Sequence, residues 1–154
     1  MNTEHLRSYY NLGGYEAIDF IEGLDMTFNE GNVFKYLYRC NSLNPKGEIK
    51  EDLEKALYYA RRALMMQSSI IYIRNKHTTT YYINMLNSEA FSENIFFALI
   101  SLIEATSIAA VYDDRITAAI QYIETELNEI NWHNFPSILH KKLWYNNYRW
   151  KDNI

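Results

Sequence analysis

Two short stretches carry side chains whose types and spacing suit joint chemistry. Residues 30–39 read EGNVFKYLYR, and residues 51–62 read EDLEKALYYARR. A helix turns 100° per residue, so positions three, four and seven apart share a face. On that spacing Asn32, Lys35, Tyr36 and Arg39 lie together in the first stretch, and Asp52, Lys55, Tyr59 and Arg62 in the second. Each face sets cations beside a tyrosine ring. Ammonium and guanidinium groups grip phosphate through charge-assisted hydrogen bonds, while an aromatic ring stacks on a base. One such helix alone is more often a solvated face with long stems lying over the surface. Two of them, joined by the turn-rich segment NSLNPKGE, bring Lys35 and Arg39 towards Lys55 and Arg62. A phosphate-and-base pocket is the expectation. Glu16 and Asp19, on a preceding helix, are the candidates to accept from base or ribose donors.

Other chemistries lack their residues. No glycine-rich phosphate loop is present, since LGG and EGN match neither the dinucleotide nor the Walker pattern. His5, His77, His133 and His140 are scattered without metal-ligand spacing. The single Cys40 excludes an internal disulfide and a cysteine-based zinc site, and its apolar helical position marks it as core. Glu48, Glu51 and Glu54 form an acidic ladder of the kind that holds Mg²⁺ in helical nucleotide hydrolases, but Lys50 and Lys55 interleave with it. A salt-bridged, solvated first turn is therefore expected, and no metal.

The elements that must position these groups are helical. The chain has 154 residues, 48% of them hydrophobic, with only 2 Pro and 5 Gly, which favours long regular elements around one core. A helix over YEAIDFIEG ends at Gly23 as its C-cap, and Thr27 caps a second running to about Cys40, with Val33, Phe34, Leu37 and Cys40 inward. A third starts near Glu48 and runs towards Arg74 behind the stripe Leu53, Ala56, Leu57, Ala60, Leu64, Gln67 and Ile71. Residues 70–85 form either a short hairpin or, preferably, a helix end with an irregular connection. FSENIFFALISLIEATSIAAVY is apolar nearly all round and should be the most buried helix. Asp113 and Asp114 open the next, whose stripe Ile116, Ile120, Ile123, Leu127 and Ile130 lies opposite Glu124, Glu126 and Glu129. Pro136 fits the first turn of a last helix, and the tail HKKLWYNNYRW mixes cations with aromatics. The fold class is all-α: a compact bundle of about six helices with one long central helix. Residues 1–75 hold the ligand region, and residues 76–154 form a helical extension packing on it and on a partner chain, within one compact domain.

Charge and hydropathy narrow the partners. A net charge of −4 leaves no general nucleic-acid coating, so any anion site is local. The 14 tyrosines are AT-rich-codon residues, so their positions carry more information than their number. The start MNTEHLRSYY lacks a signal-type apolar stretch, and Ser101, Glu104, Thr106 and Ser107 break the longest apolar run. A cytoplasmic protein without membrane contact is expected. Residues 91–130 offer more apolar helical surface than a short helix pair can cover, so a homo-oligomer is expected too.

The same residues bring a resemblance. YYNLGGYEAIDFIEG, EGNVFKYLYR and KEDLEKALYYARR, in that order over about residues 9–64, resemble a widespread phage domain family. Its best-known member is a small nucleotide kinase that lacks a P-loop and acts on deoxynucleoside monophosphates. The resemblance implies a ligand site at Glu16, Asp19, Gly31, Asn32, Lys35, Tyr36, Arg39, Glu51, Asp52, Lys55 and Tyr59. The family's leading histidine is replaced here, where the chain reads Tyr9 and Tyr10. Those two rings join the ligand-binding candidates, and the loss of a proton-transfer group argues for binding without turnover. Three functions follow in order of preference. The first is a nucleotide-binding protein of the phage-infected host cell that sequesters a nucleotide or a nucleotide immune signal, an anti-defence sponge without cofactor. The second is a P-loop-less deoxynucleoside monophosphate kinase, which alone would need Mg²⁺. The third is a helical interaction module.

Overall fold

A computed structural model describes residues 14–42, 48–66 and 79–133. Six α-helices build this part: α1 Ala17–Gly23, α2 Phe28–Arg39, α3 Ile49–Met66, α4 Thr79–Met85, α5 Glu93–Ser107 and α6 Tyr112–His133. Single 3-10 turns at Ser88–Ala90 and Ala109–Val111 precede α5 and α6. The fold is all-α, as the sequence pattern predicts. Tyr9, Tyr10, the Pro136 helix and the aromatic-basic tail lie outside the described residues.

Local chemistry fixes the helix starts. Thr27 Oγ1 accepts from Glu30 N at 3.3 Å while Glu30 Oε1 accepts from Thr27 N at 2.9 Å, a reciprocal capping box that opens α2. Ser92 caps α5 by accepting from Ile95 N at 3.5 Å. Asp113 and Asp114 occupy the first turn of α6, where the helix dipole favours them.

Two helix pairs share one core. The most extensive packing is α5 on α6, then α2 on α3, with α3 packed in turn on α6. The first pair is antiparallel: Asn94, near the start of α5, meets Glu126, while Glu104 near its end meets Arg115. An aromatic stack ties the short α1 down. Phe20 stacks on Phe34 at 4.8 Å, Phe34 on Tyr38 at 5.5 Å, and Tyr38 leans on Phe91 at 5.6 Å. Phe20, Phe34 and Tyr38 are fully buried, and such burial stabilises by about 2–3 kcal/mol per side chain. The Tyr38 hydroxyl donates to Tyr15 O at 2.8 Å, so the ring brings no unsatisfied group inside.

Several details differ from the sequence pattern. Gly23 does not form the left-handed C-cap; that conformation falls to Asp25, at φ 49°. Gly23 is the last residue of α1, and its missing side chain makes room for Tyr82 of α4. Residues 79–85 are helical, not a hairpin arm: Tyr82 and Met85 turn inward together, and Thr79 and Ser107 share a hydroxyl hydrogen bond of 2.7 Å. Packing on α5 overrides the β-propensity of TTYYIN. The continuation of α3 towards Arg74 falls outside the described residues, within which α6 is the longest helix. Glu126 is not on a solvated face but fully buried, accepting from Ser92 Oγ at 2.8 Å and from Asn94 Nδ2 at 2.9 Å. It lies against the start of α5, where N–H groups and the positive helix end favour a carboxylate. The expected stripe of Ile116, Ile120, Ile123, Leu127 and Ile130 is buried in full.

Candidate functional site

α2 and α3 run antiparallel, and their shared groove collects most of the residues singled out above. Arg39 at the end of α2 meets Asp52 at the start of α3, with Nε donating to Oδ2 at 3.2 Å. One turn back, Tyr36 stacks on Tyr59, ring centroids 6.1 Å apart and planes 10° from parallel. At the far end Phe28 meets the Tyr59 ring edge-on at 5.9 Å. Lys35 Nζ lies 4.4 Å from the Tyr36 centroid and Lys55 Nζ 5.4 Å from it. Two ammonium groups, one from each helix, thus lie near the same Tyr36 ring. Beside them opens a cleft of about 360 Å³ lined by Tyr36, Glu51, Glu54, Lys55, Tyr58 and Tyr59.

The pairings sort the candidates. Lys35, Tyr36, Lys55 and Tyr59 are brought together. Arg39 faces inward instead of serving the cleft. Its partner Asp52 is 5% exposed, and burial raises the Asp52 carboxyl against the opposing pull of the guanidinium. That ion pair sits over Cys40, whose thiol is pushed well up by burial and then by the nearby Asp52 and Glu126 carboxylates. Cys40 is therefore a protonated core residue, donating to Tyr36 O at 3.3 Å. Asn32 spends one amide hydrogen on its own helix, bonding Phe28 O at 2.8 Å. Glu16 and Asp19 form the N-terminal cap of α1, Asp19 Oδ2 accepting from Glu16 N at 2.8 Å, and neither lines the cleft. Arg62 lies on α3 two turns beyond Lys55 and lines a neighbouring cleft with Glu54, Leu57, Tyr58, Arg61 and Met65.

Tyr58 is the residue the helical-face reasoning missed. Tyr36 and Tyr59 turn their faces to each other, whereas Tyr58 is 56% exposed and stands edge-on to Tyr59 at 5.1 Å. Of these tyrosines it offers the open ring. Its signal in the sequence is the Tyr58–Tyr59 doublet: one position round the helix carries the second ring from the groove floor to its rim. Glu51 and Glu54, both exposed, add carboxylates to the same wall. Among the described residues no cluster of histidine, cysteine, aspartate and glutamate has the form of a metal site.

Fold and site together define an all-α protein with a cation-and-tyrosine cleft between its second and third helices, and no described helix is long and apolar enough to cross a membrane. Residues 4–61 match DUF3310, a domain family described as proteins of unknown function. The match takes in α1, α2 and most of α3, hence the whole Lys35–Tyr36–Lys55–Tyr59 cluster, and stops before α4, α5 and α6. No curated protein and no solved structure matches the chain.

Proposed function

We propose that the α2–α3 cleft binds a nucleotide, its phosphate held by Lys35 and Lys55 and its base laid against Tyr58. The convergence of the two lysines on Tyr36 carries this reading. A phosphate seated at the Tyr36 edge of the cleft and reached by both ammonium groups gains two charge-assisted contacts. Glu51 or Glu54 then accepts from base or ribose donors. The replacement of the resembled family's histidine by Tyr9 and Tyr10 favours retention over turnover. Sequestering a nucleotide, including a nucleotide signal of phage defence, is the role that fits. A second reading, phosphoryl transfer, draws on one observation: Glu51 and Glu54 line the cleft beside Lys55, two carboxylates next to a phosphate-binding cation.

Thermal stabilisation by each nucleoside monophosphate tests the proposal, because a ligand of the folded state raises apparent stability by mass action. Each lysine contact should contribute about 1.5–3 kcal/mol, so Lys35→Ala with Lys55→Ala should weaken binding by about a hundredfold or more. Equal stabilisation of the parent and the double variant would remove the cleft from consideration. ATP-dependent phosphorylation of the bound monophosphate would promote the second reading.

A further inference from the structure

The cleft beside Lys55 does not end at Tyr58. A second cleft, about 460 Å³, continues along α3, and the two share Glu54 and Tyr58 as a common wall. The second has its own cations, Arg61 and Arg62, and its own apolar surface, Leu57 and Met65. The two cations are not equivalent. Arg61 reaches α6 to pair with Glu124 at 3.4 Å, both side chains well exposed. Arg62 makes no ion pair among the described residues. From Lys55 to Arg62 is seven positions, about 10 Å along the axis at 1.5 Å per residue. Cation, open ring, cation therefore repeat along one helix face, with Tyr58 in the middle.

We infer that the full ligand is a dinucleotide: one phosphate at Lys35 and Lys55, a second at Arg62, and the two nucleosides on either side of Tyr58. This rests on the nucleotide reading of the first cleft and extends it. Tyr58 is 56% exposed and lines both clefts, so a base in either one meets the same ring. Met65, 69% exposed, and Leu57 give the second base a soft apolar floor. The Glu54 carboxylate, set between the cationic ends, meets no phosphate there and instead accepts from a base amine or a ribose hydroxyl. Two linked units bind together because the first, once seated, holds the second at high effective concentration.

The test compares 5′-phosphorylated dinucleotides of each base with the matching 5′-mononucleotides, by calorimetry on the full chain and on its Arg62→Ala and Tyr58→Ala variants. Both positions are exposed, so the fold tolerates the changes. The parent should bind at least one dinucleotide ten times or more tighter than its mononucleotide. Arg62→Ala should erase that advantage and leave mononucleotide affinity within twofold, while Tyr58→Ala should weaken both ligands. Dinucleotide binding without measurable mononucleotide binding, if lost in Arg62→Ala, supports the inference as its extreme case. Mononucleotide binding with no dinucleotide advantage, or an Arg62→Ala loss shared equally by both, overturns it and leaves the first cleft standing. Absence of binding by either class overturns both.

Discussion

Replacing Arg39 by alanine separates a ligand contact from a pillar of the fold. Its Nε donates to Asp52 Oδ2 at 3.2 Å, with Arg39 27% exposed and Asp52 5%. Removing one partner of a fully buried pair costs about 3–5 kcal/mol, because the other charge stays buried and uncompensated. Partial exposure of the guanidinium lets water screen the pair and lowers the cost to about 2 kcal/mol. For a domain of this size that is a fall of about 4–8 °C in Tm. Asp52→Asn should cost less, about 1 kcal/mol, since burial already leans the Asp52 carboxyl towards its neutral form. The double variant should then lose about 1 kcal/mol less than the sum of the singles, the mark of direct coupling. Urea denaturation of the parent, both singles and the double gives the cycle, and nucleotide affinity of the same four proteins completes it. Arg39→Ala as stable as the parent, yet unable to bind nucleotide, would refute this and return Arg39 to the phosphate.

Two further outcomes follow from the packing. Asp52 titrates above its unfolded value of about 3.9, so between the two values the folded chain holds more proton than the unfolded one. Parent stability should fall as pH rises through that window, and the margin of the parent over Asp52→Asn should shrink; a margin widening with pH contradicts the direction. Gly23→Ala puts a methyl 2.8 Å from Tyr82 Cε1 and closer to its hydroxyl, and Tyr82 is packed in the core. Such overpacking should cost about 1–3 kcal/mol, and an unchanged melting temperature would refute the close approach.

The sequence by itself determined the described helices other than α4, and the apolar faces that they turn inward. Val33, Phe34, Leu37 and Cys40 are buried as their spacing predicts, and so is the isoleucine stripe of α6. Those assignments are local: a 3.6-residue period and a capping residue announce themselves within a few positions. The lysine–tyrosine cluster was equally legible, because α2 and α3 are neighbours in the chain and pack antiparallel. Only the tertiary structure decided what each polar group is for. Arg39 and Lys35 look alike on one helix face, but Asp52 claims the guanidinium for the interior and leaves the ammonium over Tyr36. Glu126 and Glu124 sit two residues apart, one fully buried beneath the start of α5 and the other reaching Arg61 at the surface. Tyr58 gained its place by exposure, a property of what fails to cover a ring. A buried charge survives only where partners from distant segments meet it, and no periodicity in one segment records where those partners will be.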